Sequence, residues 1–383
     1  MHLLHIASFL GNIGDNASHT GTYHQLRRAL NCDLLIDELE IRKTYQNYNG
    51  DDAWHFDSDL IECINDRDCT LIGGGNYFEL WLEKSTTGTT INLDPILVEK
   101  IRRPLVINGV GFDPYKGYSE KSLRHFQQFL QALIDNPYCL ISFRNDGSLG
   151  HVRRLLGDGL AKHVHRIPDP GFFVQLENEN RLPVLADKPY WAINLAADMP
   201  ELRFANNDHQ HFGYDEFMEE VRLFIANVLA ERTDLSIVLI PHIYSDLVPI
   251  TDLLSALADT YRRSRIVVAP YLQGPTGANF LFNIYRQAEL SIGTRFHANV
   301  CSIGLGTPSL GLTTYPKLAD TYCELGLEER YVDATRPGFA EKLHALAVES
   351  VADRNGIVQN YQRIALELNS EAETFYSKVK DLL

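Results

Sequence analysis

The chain has 383 residues, of which 45% are hydrophobic and 22% charged, and a formal net charge of −15. That length allows two domains with sizeable cores, so neither disulfides nor a structural metal is needed to hold the fold. The acidic balance argues against a general role in binding nucleic acid or anionic membranes. It leaves room for a small anionic substrate, because a local cluster of Arg, Lys and His can override the mean field.

The six cysteines (Cys32, Cys63, Cys69, Cys139, Cys301 and Cys323) form no CxxC pair and show no zinc-ligand spacing. They read as reduced, small hydrophobes, which suits a cytoplasmic protein. The N-terminal MHLLHIASFLGNIGDNASHTG has no basic leader and its apolar run breaks at Gly11, unlike a signal peptide. No run approaches the ~20 apolar residues of a membrane span. Peripheral association with a membrane stays open.

In chain order, short apolar runs at Leu3–Ser8, Asp33–Leu39, Thr70–Ile72, Pro104–Asn108, Tyr138–Phe143 and His165–Ile167 predict strands. Helical spacing separates several of them, at Ser18–Leu30, Ser58–Asn65 and Glu120–Asp135. Buried runs alternating with helices imply a parallel sheet with crossover connections. A polar stretch with Pro183 inside it, near Leu176–Lys188, interrupts the pattern. The alternation then restarts, with strands at Tyr190–Leu195, Leu235–Pro241 and Ile266–Ala269. Helices are predicted at Tyr214–Glu231, Leu247–Tyr261, Gly277–Gln287 and over most of Glu341–Asp381, with a break around Arg354–Gly356. The expected architecture is α/β, with two Rossmann-like doubly wound domains facing across a cleft. The first covers residues 1–180. The second covers 181–383, its terminal helices free to pack back on the first. One large α/β domain is the alternative.

The segment Leu290–Leu312, LSIGTRFHANVCSIGLGTPSLGL, reads as strand, loop, short helix and strand. It puts Arg295 and His297 at the carboxyl end of a strand and the start of a helix, where backbone N–H groups and the helix dipole favour anions. Phe296 is expected to alternate with them and point into the core. Tyr315-Pro316-Lys317 follows the next strand, so Lys317 would join Arg295 and His297 in one basic patch; unrelated surface ion pairs are the plainer reading. Gly11-Asn12-Ile13-Gly14-Asp15 follows the first strand, with Asn12 and Asp15 able to cap a helix or bind a hydroxyl. Gly73-Gly74-Gly75-Asn76 follows the third, and three glycines in succession suggest a backbone that admits a ligand. Asn108-Gly109-Val110-Gly111-Phe112 repeats that theme. Arg144 ends an otherwise apolar strand and could bind a carboxylate or phosphate in two-pronged fashion, or pair with Asp146 or Asp169. His242 ends a strand in the second half, where a structural role is the commoner one for a lone histidine. Asp208, His209 and His211 read as solvated loop residues rather than metal ligands, and no metal site is expected.

In this order, GNIGD, GGGN, NGVGFDP, SFRNDGS, PDPGFF, IPH and GTRFHANVCSIGLGTPSLGL followed by YPK resemble the motifs of the polysaccharide pyruvyl transferase family. The likeness spans roughly Ser8 to Gly326. It implies a fold like that of GT-B glycosyltransferases, phosphoenolpyruvate as donor, and a sugar of a polysaccharide or its precursor as acceptor. The product would be a pyruvate ketal bridging two hydroxyls, with release of phosphate and no cofactor. It further implies His297 as acid/base, Arg295 on the donor's anionic groups, and Arg144, Lys317, Gly74 and Gly75 as further donor contacts. Asn12, Asp15, Asn76 and His242 would contact donor or acceptor. The family often has Met before this Arg and Leu after it, where this chain has Thr294 and Phe296. Two other functions fit the same loops: a nucleotide-sugar glycosyltransferase and a non-catalytic saccharide-binding protein.

Overall fold

The computed structural model describes residues 1–177, 182, 185, 188–204 and 212–383. Pro183 and the cluster Asp208, His209 and His211 lie outside the described residues. The chain forms two compact units. The first comprises Met1–Phe9, Gly21–Pro170 and Glu367–Leu383, and the second comprises Leu10–Thr20 and Gly171–Leu366.

The first unit carries six parallel strands: β1 (His2–Ala7), β2 (Leu35–Glu40), β3 (Cys69–Gly73), β4 (Leu105–Val110), β5 (Cys139–Arg144) and β6 (His165–Ile167). Their order in the sheet is β2-β1-β3-β4-β5-β6. The central strands β3 and β4 are buried at every residue, which explains their unbroken apolar runs: helices cover both faces. The edge strand β2 reads LIDELE and carries three acidic residues, which discourages pairing with another chain. Helix Glu120–Asp135 starts where the Ser119 side chain accepts from the Ser122 backbone N–H. It buries Phe126, Phe129, Leu130 and Leu133 at helical spacing. Phe126 stacks on Phe112 at 5.1 Å and packs against Phe78 at 5.0 Å, so the core lies directly beneath the loops that follow β3 and β4.

The second unit repeats the plan with β7 (Tyr190–Asn194), β8 (Ser236–Leu239), β9 (Ile266–Val268), β10 (Leu290–Gly293), β11 (Ser309–Thr313) and β12 (Tyr331–Asp333). All are parallel, in the order β12-β11-β10-β7-β8-β9. Helix Tyr214–Glu231 covers one face with Phe217, Val221, Phe224, Ile225 and Val228. The order places β7 and β10 side by side at the centre, and the loops after both carry polar residues.

Three local expectations are corrected. The first helix runs from Ile13 to Leu30, so Gly14 and Asp15 sit in its first turn rather than before it. The Asn12 side chain makes this early start possible by accepting from the Gly14 N–H at 3.0 Å. Leu247–Tyr261 is two helices, Leu247–Ala256 and Asp259–Ser264. Leu257 between them is extended, with φ −77° and ψ 150°, and is thereby tucked into the core. Phe296 opens helix Phe296–Gly304 and is only half-buried, because the strand ends at Gly293 and the two-residue alternation stops there.

Candidate active site

Asn194 and Gly293 end the neighbouring central strands β7 and β10 and lie opposite each other in register. The Asn194 side chain organises the turn after β10. Its Oδ1 accepts from the Arg295 backbone N–H at 3.1 Å, and its Nδ2 donates to the Ile240 carbonyl at 2.9 Å. Gly293 allows a close turn, since a Cβ there would meet the Ala298 Cβ at 2.8 Å. Arg295 then stands at the cap of helix Phe296–Gly304, extended at φ −84° and ψ 142°, with no side-chain hydrogen bond closing the helix start. The guanidinium thus stands beside the start of a helix, where the helix dipole favours an anion.

Arg295 is held by two carboxylates. Its Nε donates to Asp246 Oδ1 and Oδ2 at 3.0 and 2.9 Å, and its Nη2 donates to Asp198 Oδ1 at 2.7 Å. Nη1 donates to no acceptor among the described residues, so one edge of the fork is left for a ligand. Asp246 is fully buried and also accepts from the His242 N–H at 2.9 Å. Asp198 pairs in turn with Arg203 at 3.0 Å, and Arg203 Nη1 reaches Thr314 Oγ1 at 2.9 Å, just past β11. Burial opposes the charge on Arg295, but Asp246 and Asp198 outweigh it and hold the guanidinium firmly protonated. Burial likewise pushes Asp198 up, and Arg295 and Arg203 overcome it, leaving the carboxyl below its ordinary range.

His297 lies in the first turn of the same helix and is 6% exposed. Phe296 meets its ring edge-on at 5.3 Å. Asp15 Oδ1 faces His297 Nδ1 at 3.8 Å, too long for a direct hydrogen bond but within a small side-chain movement of one. Helix Ile13–Leu30 reaches this close because Gly14 has no side chain. The His242 carbonyl accepts from the Ile13 N–H at 3.4 Å. The His242 ring is fully buried, with Nε2 at 2.9 Å from the Tyr285 hydroxyl. Its Nδ1 has no hydrogen-bond partner among the described residues. Burial, then the charges of Arg295 and His297, depress its pKa well below the ordinary histidine value.

The second unit thus gathers Asn12, Asp15, His242, Arg295 and His297 around the ends of its central strands. Lys317 sits in the first turn of helix Pro316–Glu324, after the adjacent strand β11, and is buried. Sequence reasoning missed Asn194, Asp198, Arg203 and Asp246. Of these, only Asp246 had a signal: it follows His242 by four residues, a spacing that lets a carboxylate close a turn back on the strand end.

The remaining candidates belong to the first unit. Gly73 has no room for a side chain against the Asn108 carbonyl, Gly74 has φ +80°, and Gly75 lies against the Tyr77 ring. The Gly75 carbonyl accepts from the Gly111 N–H at 3.0 Å, and Asn76 Nδ2 donates to Asp113 at 2.8 Å. Each glycine of the run thus answers a local packing or backbone demand. Arg144 is buried and makes both ion pairs read as its alternatives, to Asp146 at 2.7 Å and Asp169 at 3.4 Å.

A family model of polysaccharide pyruvyl transferase matches residues 12–314, most of the chain. The chain belongs to the polysaccharide pyruvyl transferase family. Among curated proteins, none matches it. Among solved structures, it is similar to the N-terminal domain of Candida albicans trehalose-6-phosphate phosphatase, with a TM-score of 0.58 and 13% identity over 99% of this chain and 98% of that one. It is also similar to an α,α-trehalose-phosphate synthase (UDP-forming) from Burkholderia vietnamiensis, with a TM-score of 0.54 and 11% identity over 100% and 96% of the two chains. UDP-GlcNAc 2-epimerase from Neisseria meningitidis bound to UDP-GlcNAc gives 0.52 and 12% over 95% and 94%. These likenesses establish the GT-B fold of this pyruvyl transferase family member. Of the six cysteines, Cys69 and Cys301 are buried, whereas Cys63 and Cys323 are exposed. Among the described residues, no helix is long and apolar enough to cross a membrane, and no three His, Cys, Asp or Glu side chains are placed to hold a metal.

Proposed function

We propose that this protein transfers the pyruvyl group of phosphoenolpyruvate to two hydroxyls of one sugar, in a polysaccharide or its precursor. The observation that carries this reading is the pairing, in a chain of this family, of a doubly anchored Arg295 with His297 at one helix start. The donor carries a carboxylate and a phosphate, and Arg295 offers its open Nη1 edge to one of them. Lys317 is a second cation for the donor, and Arg144, with the Gly74 and Gly75 backbone, a further donor contact proposed on the likeness of their motifs.

Ketal formation needs a proton on the donor's methylene carbon, giving an oxocarbenium-like centre that a sugar hydroxyl attacks. A second hydroxyl then displaces phosphate. Of the two hydroxyl protons, one is balanced by the new methyl group and the other leaves with phosphate. His297 is the proposed proton carrier, with Asp15 orienting its Nδ1 so that Nε2 serves the reacting atoms. His242, neutral and buried, backs the site, and Asn12 and Asn76 are proposed as contacts to donor or acceptor.

Calorimetric titration of phosphoenolpyruvate into wild type and Arg295→Ala tests the donor, with UDP-GlcNAc as the parallel arm. Binding of phosphoenolpyruvate to wild type that is lost in the variant is the expected result. Binding of UDP-GlcNAc instead would overturn the donor in favour of a nucleotide sugar.

A further inference from the structure

The first unit carries a pocket of about 320 Å³ bordered by Thr44–Asn47 and by the irregular segment Glu79–Asn92. Two aromatic side chains line it and remain solvent-exposed: Trp81 at 45% and Tyr45 at 36%. Exposed aromatic rings in a concavity are uncommon unless something covers them.

Trp81 is not a loose surface residue. Its Nε1 donates to Glu79 Oε2 at 3.3 Å, and Lys116 lies over the ring at 4.9 Å from its centre while pairing with the other Glu79 oxygen. Glu79 Oε2 is fixed in turn by the Thr90 hydroxyl at 3.2 Å. The preceding residue, Leu80, has φ +59° although it is a fully buried leucine, and the Trp81 N–H closes a tight turn onto the Glu79 carbonyl at 2.8 Å. A branched side chain in that backbone region is strained, and such strain persists where the surroundings enforce it. Here it turns Trp81 outward while Leu80 anchors the loop.

The rim is polar and poised. Asn92 Oδ1 is engaged by the Thr86 backbone N–H at 2.7 Å, and its Nδ2 meets no acceptor among the described residues. Gln46 and Asn47 are exposed on the facing segment, and Lys84 adds a cation. A flat apolar platform, locked in place and ringed by amides, matches one chemistry well. A sugar ring presents a face of C–H groups to an aromatic surface and a rim of hydroxyls to amide donors and acceptors.

We propose that this pocket is a saccharide subsite, with Trp81 as the stacking platform, for a glycosyl unit of the acceptor. The assignment rests on the reading of the acceptor as a glycan. None of its residues carries a motif that the sequence singles out, and none belongs to the proposed donor contacts.

The test is calorimetric titration of triacetylchitotriose, galactotriose and maltotriose, each singly, into wild type, Trp81→Ala and Trp81→Phe. Melting temperature serves as the folding control. At least one trisaccharide is expected to bind wild type, to bind Trp81→Phe comparably, and to bind Trp81→Ala about tenfold or more weakly. Failure of all three to bind wild type, or equal binding by Trp81→Ala, would overturn the subsite. Phosphoenolpyruvate titrated into wild type separates the two readings. Binding of the donor without any trisaccharide removes the subsite alone, whereas Trp81-dependent trisaccharide binding without the donor removes the donor assignment alone.

Discussion

Gly14 lies so close to His297 that a Cβ at residue 14 would stand 2.6 Å from the imidazole Nδ1. The glycine is therefore a spacer that lets the first turn of helix Ile13–Leu30 support the ring and bring Asp15 to it. Gly14→Ala should push the imidazole out of place. We expect turnover to fall at least tenfold, with overpacking costing about 1–3 kcal/mol of stability. Steady-state kinetics with a urea melt checks both, and wild-type turnover would show that the ring position is not critical.

His297→Ala removes the proposed proton carrier while leaving the helix and Arg295 in place. Turnover should drop by about 10²–10⁴-fold, the usual span for losing a general acid or base. Donor affinity should change far less. Phosphate release under saturating donor gives the first quantity and calorimetry the second; unchanged turnover would refute the role.

Asp246 is the buried partner that Arg295, Asn194 and the His242 backbone share. Replacing it leaves a buried guanidinium without its main counter-charge. Asp246→Ala should destabilise the protein by about 3–5 kcal/mol, the range for breaking one side of a buried ion pair. Chemical denaturation measures this, and a loss below about 1 kcal/mol would mean that the pair is screened like a surface one.

His242 contributes a pH dependence of known sign. Its folded pKa is depressed by burial and by the charges of Arg295 and His297, so it stays neutral while the unfolded chain protonates near the ordinary value of about 6.5. Below that pH the unfolded state binds the extra proton, so stability falls as pH falls, by at most about 1.4 kcal/mol per pH unit from this residue. His242→Gln should flatten the slope between about pH 6.5 and the depressed folded value. Urea melts of both proteins across that window report it, and parallel slopes would exclude the contribution.

Much of the fold is legible in the amino-acid sequence. Runs such as Leu105–Val110 are buried on both faces of a parallel sheet, and that burial demands the continuous apolar stretch that makes them visible. Arg295 and His297 are legible for a similar reason: the glycine that ends β10 and the short apolar helix after it bracket them within a few residues. Asp198 and Arg203 are not. They act through side-chain pairs with residues about a hundred positions away, at Arg295 and Thr314, and no local pattern records a partner at that distance.

The sequence by itself determined the alternation of strands and helices and the family, because the first is written in local periodicity and the second in short ordered motifs. The tertiary structure alone decided that Leu10–Thr20 is part of a unit whose remaining residues begin at Gly171. It also decided that Gly14 touches His297, that two carboxylates grip Arg295, and that a strained leucine turns Trp81 into a pocket. Each of these depends on packing between segments far apart in the chain, where burial and charge pairing are set by three-dimensional neighbours rather than by spacing.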